Sequence, residues 1–172
     1  MTTCPFVAKA ALYMERTADW TPVSPLTTVG MWNHALGEIS EDVVRLDGLD
    51  KDHFRLACTR RIERHLVSVV TNATCFLRDL GVEDPAAAFV AEWERAAVKH
   101  PGMTLDCDGP TDELRFYALA EEVGEVAASL TYDNANSTGH NADTVAEVTQ
   151  VGALALAWLV RYQGGNERSE DR

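Results

Sequence analysis

Apolar residues recur along this chain at helical intervals of three and four, and no long alternating runs of Val, Ile and Thr compete with that pattern. Residues 6–17 place Phe6, Ala10 and Tyr13 or Met14 on one side of a short helix. The stretch Thr21-Pro-Val-Ser-Pro25 then breaks it, because proline removes a donor and restricts the residue before it. A second helix is expected from about 26 to 46, carrying Trp32, Leu36, Ile39 and Val43. Asp47-Gly-Leu-Asp50 is a turn with Asp50 as the next N-cap. Residues 51–80 then form a long helix stopped by Gly81. Within it, residues 66–77 are nearly all apolar or small and must be buried. Asp84-Pro85 supplies a cap and a first-turn proline to a helix ending near Lys99. Residues 100–110 form a loop of the length that often serves function. Thr111-Asp112-Glu113 opens the following helix with a cap and an acidic first turn.

The last two helices, over 117–130 and from 143 onward, face each other across a polar loop at 133–141. The second is expected to end near Gln163, before Gly164-Gly165, leaving 164–172 as a charged, flexible tail. Glu122 and Glu125 stand three apart, as do Glu147 and Gln150, so each pair shares one helix face. The neighbours of Glu122 one turn away include Ala118, Leu119 and Val126, and around Glu147 and Gln150 the only other polar side chain from 145 to 160 is Thr149. Carboxylates gathered among apolar groups repel one another and cost several kcal/mol each. A hard divalent cation with oxygen ligands relieves both penalties.

Composition narrows the picture. At 172 residues, with 46% hydrophobic, the chain suits one soluble all-α domain spanning 1–172. A net charge of −12 repels a phosphate backbone, which argues against nucleic acid as a partner. A free nucleotide remains compatible, because cations can bridge its phosphates to carboxylates. Cys4, Cys58, Cys75 and Cys107 form no Cys-x-x-Cys pair, so neither a zinc site nor a disulfide framework is expected. Met1-Thr-Thr-Cys-Pro-Phe6 lacks the basic and apolar regions of a signal peptide. The longest apolar run, 151–160, is about half of the roughly 20 residues a membrane span needs. These features together suggest a reduced, cytoplasmic protein with no membrane partner.

A weak internal repeat bears on architecture. His34-Ala-Leu-Gly-Glu-Ile-Ser-Glu-Asp-Val43 aligns with Tyr117-Ala-Leu-Ala-Glu-Glu-Val-Gly-Glu-Val126. With one residue inserted, Ile62-Glu-Arg-His-Leu-Val67 falls against Ala146-Glu-Val-Thr-Gln-Val151. Glu63 then stands opposite Glu147 and Asp42 opposite Glu125, whereas Ile39 replaces Glu122 and Leu66 replaces Gln150. The chain reads as a degenerate half at 26–81 that scaffolds a ligand-bearing half at 84–163. Chance similarity between amphipathic helices is the competing explanation.

Leu119-Ala-Glu-Glu-Val-Gly-Glu-Val126 followed by Val145-Ala-Glu-Val-Thr-Gln-Val151 resembles the MazG-like family of all-α nucleotide pyrophosphohydrolases, over about residues 92–160. Lys99-His-Pro-Gly-Met-Thr-Leu-Asp106 is similar to a segment of actinobacterial and phage members. The resemblance implies a MazG-like helical bundle. It also implies Mg²⁺-dependent (or Mn²⁺-dependent) hydrolysis of a nucleoside triphosphate to monophosphate and pyrophosphate. In such a reaction water attacks the α-phosphorus while cations neutralise the phosphate oxygens. The family signature is Glu-x-x-Glu on one helix and Glu-x-x-Asp on the next. Glu122, Glu125 and Glu147 match three of those ligands, and Gln150 stands in place of the aspartate. Its carbonyl can coordinate a hard cation, but it adds no charge and cannot act as a base.

By the same resemblance Glu122, Glu125, Glu147 and Gln150 are the metal ligands. Glu121 and Glu122 are the catalytic candidates, Glu121 as an outer ligand or a water-orienting base. Lys99, His100 and Asn134 are candidates for substrate contact, with Asp133 beside Asn134. Solvated helix and loop polarity explains Glu121 and Asn134 about equally well and Lys99 and His100 better, and Trp158 reads as core. Family members dimerise or tetramerise; here a homodimer and a monomer containing its own pseudo-dimer both remain open. A di-iron bundle is disfavoured, because no histidine follows a glutamate at the spacing such sites use. A nucleotide-sensing or interaction protein without turnover is the alternative that Gln150 favours.

Overall fold

Several helix boundaries have a local cause. In the computed structural model, residues 4–17, 19, 21–48, 52–136 and 142–170 are described, those at 52–53 and 164–170 by backbone alone. Helix α1 (Pro5–Arg16) starts on a proline, and α2 (Pro25–Gly48) does the same. Ser24 Oγ accepts from the Thr27 N–H at 3.1 Å, so Pro25, expected as a breaker, begins α2 instead. Its missing donor is one that would have no intrahelical partner there. Helix α3 (Asp52–Asp79) ends at Gly81, whose φ of +87° lets the Val82 N–H reach the Leu77 carbonyl at 2.9 Å. The Asp50 cap expected for α3 lies outside the described residues. Helix α4 (Pro85–Lys99) is capped by Asp84, which accepts from the Ala87 N–H at 3.0 Å. Helix α5 (Asp112–Ser129) is capped by Thr111 in the same way.

Two boundaries differ from the sequence expectation. A four-residue helix, α6 (Tyr132–Ala135), capped by Thr131, occupies the start of what reads as loop. The last helix, α7 (Thr144–Glu170), does not stop near Gln163 but continues through Gly164 and Gly165. Glycine costs only about 1 kcal/mol in a helix interior, and extending a nucleated helix is easy, so two glycines are not in themselves a stop.

The described helices, seven in all, pack as an all-α bundle. Helix α2 packs on α3, α3 on α7, α7 on α5, and α5 back on α2, which closes a four-helix ring. Trp32 and Ile39 of α2, Ile62, Leu66 and Leu77 of α3, Leu119 and Val126 of α5, and Leu156, Trp158 and Leu159 of α7 are fully enclosed. Burial of such side chains contributes about 1.5–3 kcal/mol apiece and outweighs helix propensity in holding the ring together. The buried stretch expected at 66–77 is this seam: Leu66, Val69, Val70, Ala73, Phe76 and Leu77 all face inward.

Helices α1 and α4 cover one side of the ring. Arg78, in the last turn of α3, donates to the carbonyls of Met14 (2.8 Å) and Thr17, tying down the C-terminus of α1. Helix α4 sits on α7 where Gly152 leaves room for the Phe89 ring; a β-carbon at 152 would lie 2.2 Å from that ring. This seat decides what reaches the site, because Glu92, Arg95 and Ala96 lie one to two turns further along α4. No helix among the described residues is long and apolar enough to cross a membrane.

Candidate metal centre

Leu119, Val123 and Val126 turn one stripe of α5 into the core, and Glu122 lies beside that stripe with Leu119 and Val126 one turn to either side. Glu122 is therefore half-buried, while Glu121 and Glu125 stand at the exposed edge. On α7, Val148 and Val151 face the core and carry Glu147 and Gln150 to the facing edge, both half-buried. Oxygens of Glu122, Glu125 and Glu147 come within 4.8 Å of one another. Oxygens bound to one hard cation at about 2.0–2.6 Å lie some 3–5 Å apart, so the trio falls within the span of a bonding arrangement. Glu122 Oε2 is enclosed and has no hydrogen-bond partner among the described residues. A buried carboxylate oxygen without a donor suits a cation.

The electrostatics point the same way. Burial, then the charges of Glu125, Glu147, Glu121 and Glu92, push the Glu122 carboxyl up to about 7. Glu147 is raised too, by burial first, then by the charge of Glu125, a hydrogen bond with it, and the charge of Asp143. A hydrogen bond donated by Gln150 Nε2 to Glu147 Oε2 at 2.7 Å works against that rise.

Glu122 and Glu125 of the trio border a cavity of about 440 Å³ between α4, α5, α7 and the loop at 100–110, and Glu147 reaches it through its hydrogen bond with Gln150. Glu121, Glu122, Glu125 and Gln150 line it, with Ala118, Ala153, Leu154 and Ala157 as its apolar wall. Lys99 and His100 line it from the C-terminal end of α4, both exposed. The loop contributes Met103, Thr104 and Leu105. Arg115, buried in α5, holds that loop by donating to the Leu105 carbonyl (2.9 Å) and the Cys107 carbonyl (2.7 Å) while pairing with Asp112 (2.9 Å). Trp93 Nε1 donates to Asp106 at 3.1 Å, and Arg161 pairs with Asp108 at 2.8 Å. A loop with three such anchors presents its cavity-lining residues in fixed positions.

Asn134 is elsewhere. Its amide donates to the carbonyls of Ser129 (2.9 Å) and Ala142 (3.0 Å) and accepts from the Ala142 N–H (2.7 Å), so it clasps the α5–α7 connection. With its side chain committed there and absent from the cavity wall, it is not among the residues brought to the site. Trp158 is core, as its sequence context suggests.

Sequence reasoning missed Glu92, Trp93 and Arg95 of α4, which also line the cavity. Arg95 is bidentate to Glu92 (2.7 and 2.6 Å) and reaches Gln150 Oε1 at 3.4 Å. In sequence the pair reads as an ordinary surface i,i+3 contact. The one available signal is that Phe89, Glu92 and Ala96 share a face of α4.

The buried acid of the α2–α3 pair is satisfied differently. Asp42, at the position matched to Glu125, is buried and accepts from Arg61 Nε (2.9 Å) and Arg45 Nη1 (3.2 Å). Burial pushes its carboxyl up, but those two guanidinium groups bring it net below the ordinary carboxylate range. Cations supplied by the chain itself thus satisfy Asp42. Among the described residues, the Glu122–Glu125–Glu147 group is the one set of three potential metal ligands that converges.

Set against known proteins, the chain matches no family model, no curated protein and no solved structure. The class that fold and site define is therefore an all-α bundle with a carboxylate-edged pocket.

Proposed function

We propose that this protein is a Mg²⁺-dependent nucleoside triphosphate pyrophosphohydrolase, as the resemblance of its two motif helices to the MazG-like family implies. The observation that carries the reading is the convergence of Glu122, Glu125 and Glu147, the first two lining a cavity that Arg95 and Lys99 also line. Carboxylates for a cation and basic groups for phosphate, set on one apolar-walled pocket, match the two halves of a cation–triphosphate complex.

Glu122, Glu125 and Glu147 hold the cation, with Gln150 able to add a neutral carbonyl oxygen. When bound, Mg²⁺ (or Mn²⁺) supplies charge neutralisation at the phosphate and acidifies a water. Lys99 and Arg95 bind phosphate oxygens, and His100 borders the nucleoside end. Glu121, exposed beside Glu122, accepts the proton of the attacking water. The water oxygen bonds to the α-phosphorus, and the bond from that phosphorus to the α–β bridging oxygen breaks, releasing pyrophosphate. A free nucleotide suits a chain of net charge −12 better than a nucleic acid does. The closed four-helix ring lets one chain supply the packing that a homodimer would otherwise provide.

The test is pyrophosphate release from a panel of ribo- and deoxyribonucleoside triphosphates with Mg²⁺ or Mn²⁺. Glu125→Ala is expected to lower turnover at least about a hundredfold while leaving helical content unchanged. Equal activity in that variant would refute the assignment. A second reading, a nucleotide binder without turnover, draws on Gln150, whose amide is engaged by Glu147 and Arg95 and carries no charge. Retained nucleotide binding with no pyrophosphate from any substrate would select it.

A further inference from the structure

Position 150 is where the chain departs from the four-carboxylate pattern, and the structure places a guanidinium beside it. Arg95 Nε and Nη2 are bidentate to Glu92, and Nη2 also reaches Gln150 Oε1. Gln150 passes the contact on, because its Nε2 donates to Glu147 of the trio. A guanidinium has five N–H donors, and the two on Nη1 make no hydrogen bond among the described residues. The Arg95 side chain is 53% exposed and that of Glu92 17%, so the pair is pinned at one end and open at the other. Both residues line the same cavity as Glu122 and Glu125.

A neutral amide is the group this arrangement needs. It accepts from Arg95 with one end and donates to Glu147 with the other. A carboxylate could not donate to Glu147 and would add charge beside the trio. We propose that Arg95, held by Glu92 and Gln150, is the second cation of the site: one divalent ion takes Glu122, Glu125 and Glu147, and the free Nη1 edge of Arg95 takes phosphate oxygens that a second ion would otherwise take. This inference rests on the pyrophosphohydrolase reading and fixes its cation count. Guanidinium suits the task because its planar fork matches phosphate oxygens and its charge does not titrate.

Mn²⁺ titration of the full chain, followed by electron paramagnetic resonance, reads the count directly. The wild type is expected to saturate at one magnetically isolated Mn²⁺ per chain. Gln150→Asp is expected to take up two, with the spectrum of a spin-coupled pair. Calorimetry with inorganic tripolyphosphate in Mg²⁺ then tests the anion side without a base. Arg95→Met is expected to weaken binding ten- to a hundredfold while still binding one Mn²⁺, and Arg95→Lys should recover part of the loss. Two ions on the wild type, or tripolyphosphate binding undiminished in Arg95→Met, would overturn the role of Arg95 and leave the metal centre standing. No Mn²⁺ binding in any form would overturn the metal centre itself, and this inference with it.

Discussion

Glu122 concentrates the electrostatic cost of the site in one side chain. Its carboxyl titrates near 7 in the fold against an ordinary 4.5, so between those values the folded chain holds a proton that the unfolded chain has lost. Stability from this group is therefore fully present below about pH 4.5 and declines as pH rises toward 7. At about 1.4 kcal/mol per pKa unit, the loss reaches up to about 3 kcal/mol. Glu147 and Glu63, also raised by burial, slope the same way. In the absence of divalent cations, denaturant midpoints should thus fall between pH 5 and pH 8. Glu122→Gln should flatten most of that slope and exceed the wild type in stability at pH 8. A wild-type midpoint that rises over the same interval would contradict the burial and crowding described for Glu122. That Glu122 sits among apolar neighbours is legible from Ala118, Leu119 and Val126; that Glu125 stays exposed is not, because its exposure depends on how α5 and α7 diverge at their edges.

At the scale of elements, the site depends on how closely α4 lies on α7. Gly152 is the point of contact, and the ring of Phe89, 1% exposed, fills the space a β-carbon there would need. Gly152→Ala removes a helix-destabilising glycine but forces the two helices apart, and overpacking of this kind costs about 1–3 kcal/mol. The variant is expected to lower Tm and also to weaken nucleotide binding, because Arg95 and Lys99 ride on α4. An alanine variant as stable as the wild type would show that the seat is looser than described. Most helix starts were readable because each carries its own chemistry: Asp84-Pro85, Thr111, and Gly81 as a stop. The end of α7 was not, since a glycine pair stops a helix only when the chain beyond it turns away. Residues 100–110 read correctly as a loop, yet its rigidity comes from Arg115 and Trp93, whose partners are set by tertiary packing and leave no local trace. Asn134 illustrates the converse, a polar loop residue spent on holding the backbone.

For the whole molecule, the ring gives α2 and α3 a packing role that needs no metal ligands. Helices α2 and α3 supply the wall against which α5 and α7 are held, and within that wall Arg61 pairs with the buried Asp42. Arg61→Met would strand the buried Asp42 with Arg45 alone, and is expected to lower Tm by about 5 °C or more without changing cation binding. Unchanged Tm would mean that this pair adds nothing to the scaffold. The helical class was legible from periodicity and three of the carboxylates from spacing. The contribution of α4 was not, because nothing in a linear pattern says which helix will close a pocket formed by two others. The proposed activity requires one property of the trio above all, its capacity to hold a divalent cation. Calorimetric titration of Mg²⁺ into the wild type and into Glu147→Gln at pH 7.5 measures it. Saturable binding in the wild type, weakened at least about tenfold by loss of one ligand charge, is the predicted result. No saturable binding, or the same affinity in both proteins, would contradict it.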